Sequence, residues 1–210
     1  MYWFKTPKFF KKIYRKCVWN ISFPNNTVYI TFDDGPIPEI TPWVLGVLRE
    51  HQVKATFFCV GENINKHPEI YKQVLLEGHS VGNHTYNHNN GWKTNDKVYE
   101  LSVEKAQTEM DLYQSNQVKL FRPPYGKLKW NQYQKKIKNG YKIIMWEVLS
   151  ADFDTSLDPE MCLEKLKKNT APGSIIVFHD NVKSFRILKK VLPEYLMFLK
   201  QKGLETAVIC

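Results

Sequence analysis

The chain has 210 residues, enough for one domain with a sizeable core and short for two. A hydrophobic fraction of 43%, with 14% aromatics, excludes a disordered chain. The net charge of +9 would suit nucleic acid, but Lys5, Lys8, Lys11, Lys12, Arg15 and Lys16 precede every acid and leave 24 basic against 21 acidic residues elsewhere, so no nucleic-acid partner is expected.

In chain order, Thr6 and Pro7 read as the N-cap and first position of a helix. Phe9, Phe10, Ile13, Tyr14 and Cys17 then fall at helical spacing opposite the basic residues. Residues 1–22 thus form a basic amphipathic segment ahead of a catalytic domain over 23–210. Two readings stay open for it: residues 1–19 lie on an anionic membrane surface, or the apolar face docks on the domain. No run reaches the ~20 residues of a membrane span, and the first turns lack the apolar core of a secretory signal. A cytoplasmic chain is the default expectation, with membrane association through the first helix as the other outcome. Cys17, Cys59, Cys162 and Cys210 lie far apart without a C-x-x-C pair, so neither a thiolate metal site nor a disulfide framework is expected.

Strand patterns follow at 27–32, 55–60, 79–83, 119–122, 142–147, 174–178 and 205–209. Helical patterns lie between them near 42–50, 68–77, 96–113, 130–138, 159–169 and 187–202, several closed by Gly78, Gly140 or Gly203. This alternation implies parallel β/α units in a single α/β domain. A closed or nearly closed barrel of about seven parallel strands is expected rather than an open doubly wound sheet, because polar residues cluster just after several strand ends. No phosphate-binding glycine loop is present, which removes nucleotide chemistry.

Those strand ends carry the chemistry. Asp33 and Asp34 end the first apolar run, and Gly35 and Pro36 stop it; two adjacent carboxylates repel unless each has its own partner. His84 and His88 follow the third run, at a spacing that puts both imidazoles on one face if the segment makes a helical turn. Two histidines and a carboxylate are the ligand set of a catalytic divalent metal such as zinc. Arg122-Pro123-Pro124-Tyr125-Gly126 ends another strand, either as a stiff loop whose next free N–H after the prolines belongs to Tyr125, or as an ordinary turn with Arg122 a surface cation. His179 and Asp180 sit at the mouth of the apolar run 174–178.

The segments Thr31-Phe32-Asp33-Asp34-Gly35-Pro36, His84-Thr85-Tyr86-Asn87-His88, Arg122-Pro123-Pro124-Tyr125-Gly126, Trp146 to Phe153 and Val177-Phe178-His179 resemble, in order and spacing, the five motifs of the polysaccharide deacetylases, carbohydrate esterase family four. The likeness covers residues 27–209 and implies a distorted β/α barrel and a metal-dependent hydrolase that removes acetyl groups from sugars. It assigns Asp33 as general base, Asp34, His84 and His88 as metal ligands, and Arg122 as the group that orients the base. It further implies a Tyr125 backbone N–H that holds the oxyanion, and His179 as general acid tuned by Asp152, with Asp154 close by as a second candidate for that part. Val177 replaces the usual leucine of the acyl pocket, Phe153 stands where tryptophan is usual, and Leu149 where a polar residue is common.

The resulting expectation is a monomeric enzyme that releases acetate from an N-acetylated amino sugar of an oligo- or polysaccharide, such as peptidoglycan or chitin-type chains. Zinc is the expected metal, with cobalt or nickel also suited to the ligand set. An amidase or imidase on a small non-carbohydrate substrate, and an inactive glycan-binding relative, are the competing readings.

Overall fold

Val28 to Phe32 are β-branched or aromatic throughout and carry no charge, and a strand that can be buried on both faces belongs at the centre of a parallel sheet. The computed structural model, which describes residues 2–22, 26–114 and 118–210, puts it there. β1 (Thr27–Asp33) is buried along its whole length between β2 (Thr56–Cys59) and β7 (Ile175–His179). With β3 (Ser80–Asn83), β4 (Leu120–Phe121), β5 (Lys142–Ile143) and β6 (Val148–Leu149), the order is β5-β4-β3-β2-β1-β7-β6, every pair parallel. β8 (Glu205–Thr206) pairs with the start of β1.

The strand expected at 142–147 is two strands. β5 bonds to β4, and the Ile144 N–H still donates to Phe121 O; by Glu147 the N–H donates to Ile175 O, and β6 pairs with β7. One stretch of chain therefore leaves one edge of the sheet and joins the other, which curls the seven strands into a distorted half-barrel. A continuous apolar run cannot show where its hydrogen-bond partner changes.

The N-terminal segment lies along the same seam. Phe4 O accepts from the Leu149 N–H, the Thr6 N–H donates to Glu147 O, and Val18 exchanges bonds with Ile143 and Met145. α1 is only Lys8–Ile13, with Pro7 as its N-cap rather than its first residue, because the Thr6 hydroxyl donates to Trp146 O instead of capping. Phe10 and Tyr14 pack against a core cluster, with the Tyr14 and Tyr133 rings 5.3 Å apart, so part of the apolar face docks on the domain. The expected boundary between residues 22 and 23 borders residues outside those described. Among the described residues no helix is long and apolar enough to cross a membrane, and all four cysteines are free.

The other helices cover the sheet. α2 (Ile40–Glu50), α7 (Pro159–Asn169) and α8 (Phe185–Gln201) bury Val44, Leu45, Leu48, Leu166, Leu188 and Leu192 in the largest core cluster. α4 (Pro68–Leu76), α5 (Asp96–Asp111) and α6 (Trp130–Lys138) continue the layer. Between β2 and α4 the structure adds α3 (Gly61–Lys66), which sequence periodicity misses because Ile64 is its only large apolar residue. Gly61 lets it approach α5: a Cβ there would stand 2.8 Å from Ala106 Cα.

α7 starts at a strong cap. Asp158 accepts from the N–H groups of Glu160 and Met161 at 2.8 and 3.3 Å, and Pro159 takes the first helical position. Asp158→Ala is expected to lower stability by about 1 kcal/mol, as loss of such a cap does elsewhere. Urea unfolding midpoints measure it, and an unchanged midpoint would show that the cap contributes nothing.

Candidate active site

Asp33 is the last residue of β1, and a regular strand would send Asp34 to the opposite face. Asp34 instead leaves the strand at φ +92°, with its backbone tied to Phe58 O and Asn63 Nδ2. The next turn is stitched to the end of β7: the Gly35 N–H and the Thr41 hydroxyl donate to the two oxygens of buried Asp180, at 3.0 and 2.6 Å. Burial above all pushes the Asp180 carboxyl up to about 8, with the charge of Asp34 adding to it. A Cβ on Gly35 would collide with that carboxyl group, so residue 35 must be glycine for the turn to close here.

Arg122 is fully buried, which rules out a surface cation. Its Nη1 donates to Asp33 Oδ1 and to the Thr31 hydroxyl, both at 2.7 Å, its Nε to Ile144 O and its Nη2 to Met145 O. The guanidinium therefore holds one oxygen of Asp33 and leaves Oδ2 facing His84, 3.9 Å from Nε2.

Residues 84–88 do not make the helical turn that the spacing assumed. Thr85 and His88 take φ of +64° and +52°, and these left-handed bends bring the two imidazoles to 5.1 Å between centroids. His84 Nδ1 lies 2.7 Å from Arg122 O; a carbonyl only accepts, so Nδ1 carries the hydrogen and Nε2 keeps its lone pair. Burial, the largest influence, pulls His84 down to about 4, which keeps it neutral at pH 7.

Ligand atoms of Asp34, His84 and His88 lie within 4.8 Å of one another. Asp34 Oδ1 is buried without a hydrogen-bond partner, 3.6 Å from His84 Nε2 and 3.1 Å from His88 Nε2. Burial opposes ionisation of Asp34, but His88, His179 and His84 together hold its carboxyl below the ordinary range. An orphaned anionic oxygen facing two imidazole nitrogens fits a divalent cation.

Across the cleft, His179 donates twice to Asp152: Nδ1–H to Oδ1 at 2.7 Å and backbone N–H to Oδ2 at 2.9 Å. Asp154, the other carboxylate in that stretch, instead accepts from Tyr2 and Ser156. Burial works against the imidazolium, but Asp152 outweighs it, with help from Asp34 and Asp33, and pushes His179 up to about 9. Tyr125 sits at φ +61° after the two prolines, its ring 4.6 Å from that of His88, and no described group accepts from its backbone N–H.

Asp33, Asp34, His84, His88, Tyr125 and His179 line one cleft of about 630 Å³, whose apolar wall includes Trp146, Leu149, Phe153 and Val177, while Arg122 and Asp152 lie behind that lining. Sequence reasoning missed Asn181 and Tyr2. Asn181 donates to Asp34 Oδ2 at 2.5 Å, and its place two residues beyond His179 was a usable signal. Tyr2 reaches the cleft only because residues 4–6 pair with the seam, and nothing local announces it.

A buried Asp–Arg pair, an Asp–His–His set able to hold a cation and an Asp–His pair on the C-terminal rim of a β/α barrel are the parts that a hydrolytic site needs. The chain belongs to the polysaccharide deacetylase family, whose model matches residues 20–144. It is 36% identical over 195 residues to a peptidoglycan-N-acetylglucosamine deacetylase of Bacillus cereus, covering 90% of this chain and 69% of the relative. It is also 36% identical over 158 residues to a chitooligosaccharide deacetylase of Azorhizobium caulinodans, 74% of each chain. Among solved structures, a peptidoglycan N-acetylglucosamine deacetylase in complex with 4-naphthalen-1-yl-N-oxidanyl-benzamide superposes with a TM-score of 0.88 at 32% identity, covering 95% of this chain and 94% of that one.

Proposed function

We propose that this enzyme hydrolyses the N-acetyl group of an amino sugar in an oligo- or polysaccharide such as peptidoglycan or a chitin-type chain. The observation that carries this reading is the Asp152–His179 pair, which faces the Asp34–His84–His88 set across one cleft. Asp33 Oδ2, left free by Arg122, takes a proton from water as its oxygen attacks the acetamide carbon. Asp34, His84 and His88 would hold a divalent cation, zinc first and cobalt or nickel as alternatives, which would supply Lewis-acid chemistry in the cleft. The Tyr125 N–H donates to the oxygen on which charge develops. His179 Nε2 then gives its proton to the departing nitrogen while Asp152 keeps Nδ1–H in place; the C–N bond breaks and acetate and a free amine leave. Leu149, Phe153 and Val177 form the apolar wall suited to the acetyl methyl.

Acetate release from N-acetylglucosamine oligomers and peptidoglycan fragments, with and without a chelator, tests the reading. Chelation is expected to abolish turnover and added zinc to restore it; metal-loaded protein inert on every N-acetylated glycan would overturn it. His179 must be protonated to act, so activity is expected to fall as pH rises through about 9. Asp152→Asn removes the carboxylate that raises His179, so the basic limb of the pH–rate profile is expected to move down. An unmoved limb would show that another group sets it.

A further inference from the structure

Residues 3–16 present a face that the reaction does not use. Lys5, Lys8, Lys12, Arg15 and Lys16 are exposed, and no described residue forms an ion pair with any of them. Lys11 differs, because its ammonium meets Glu147 at 2.7 Å. Trp3, Phe9 and Ile13 are exposed as well, at 53%, 65% and 41%. Phe9 and Ile13 stand one turn apart on α1 and share a row, and Lys8 and Lys12 form the row beside it. The Trp3 and Phe9 rings both border that of Phe10, at 5.7 and 6.0 Å, so Trp3 extends the same patch.

The inward side of the segment is already engaged. Phe10 and Tyr14 pack on the core, and Phe4, Thr6 and Val18 are hydrogen-bonded to the barrel seam. The outward side chains are therefore held facing away from the domain, which removes much of the ordering cost that so short a helix would otherwise meet on binding.

We propose that this face docks on an anionic lipid surface, with Trp3, Phe9 and Ile13 entering the headgroup region and the five cations lying against lipid phosphates. Aromatic side chains suit that interface, and clustered Lys and Arg are drawn to anionic leaflets. A soluble polyanion would need the cations and have no use for three exposed apolar side chains. A second copy of the chain on this face would bring five cations against five, with no acid before Asp33 to offset them. The surface is separate from the cleft and does not depend on the reaction proposed for it.

The full chain is to be sedimented with vesicles of phosphatidylcholine alone and of phosphatidylcholine with phosphatidylglycerol. Binding to the anionic vesicles is expected to exceed binding to the neutral ones by more than about ten-fold and to weaken as salt screens the charges. Two double variants, Lys8→Glu with Lys12→Glu and Trp3→Ser with Phe9→Ser, are each expected to lower that binding by about ten-fold or more, with an unchanged unfolding midpoint and acetate release. Equal, negligible binding to both vesicles would overturn the proposal. So would binding that the charge variant abolishes and the aromatic variant leaves intact, the behaviour of a soluble-polyanion site. Sedimentation as a dimer through this face, without vesicle binding, would overturn it as well.

Discussion

Asp33→Asn is expected to keep the fold and the bound cation while turnover falls by about 10²- to 10⁴-fold, the contribution typical of a positioned general base. The amide has the shape of the carboxylate, and its carbonyl oxygen can still accept from Arg122 Nη1 and so hold the side chain in place. What it loses is the free Oδ2 that can take a proton. Asp34, His84 and His88 are untouched, so metal content should match that of the native enzyme. The contrast is with Asp34→Asn and His84→Ala, which remove a member of the cation set and should lose metal and turnover together. Metal analysis and acetate release on the same purified proteins decide the matter. Native turnover in Asp33→Asn would refute the division of the aspartate pair into base and ligand.

Arg122→Met has the largest expected effect on stability. It removes the buried cation whose donors serve Asp33, Thr31, Ile144 and Met145 and whose guanidinium lies 4.0 Å from the centre of the Phe58 ring. Met fills much of the volume but leaves the Asp33 carboxylate buried without its partner, a change that typically costs about 3–5 kcal/mol. In a domain of this size the melting temperature should fall by about 6–20 °C. Arg122→Lys should rescue only part of this, because a single ammonium cannot reproduce the planar fork that reaches two carbonyls and a carboxylate at once. Thermal unfolding of both variants measures the effect. A loss below about 1 kcal/mol in Arg122→Met would mean that water replaces the guanidinium and that the pair is not sealed from solvent.

Much of this site is legible along the chain because its signals are local. Asp33 and Asp34, His84, Arg122 and His179 each lie at the end of a strand pattern, and in parallel β/α units the C-terminal ends of all such strands reach one rim. The resemblance picks Asp152 over Asp154 by its spacing from Trp146; in the structure His179 donates to Asp152, while Asp154 accepts from Tyr2 and Ser156. In the sequence Asp180 is no more than the neighbour of His179, yet it ties the loops after β1 and β7 together; its partners, Gly35 and Thr41, are far away in sequence.

The amino-acid sequence by itself determined the strand and helix alternation, the single α/β domain and the residue types at the strand ends, because periodicity, glycine stops and apolar runs are properties of short segments. Only the tertiary structure decided where the stretch 142–149 changes partners, that residues 4–6 and Val18 join that seam, and that Asp34, Thr85, His88 and Tyr125 turn through positive φ. Those four are not glycine, so local preference disfavours their conformations. They persist because packing and hydrogen bonds from distant parts of the chain surround these loops, and those contacts exist only once the barrel has curled.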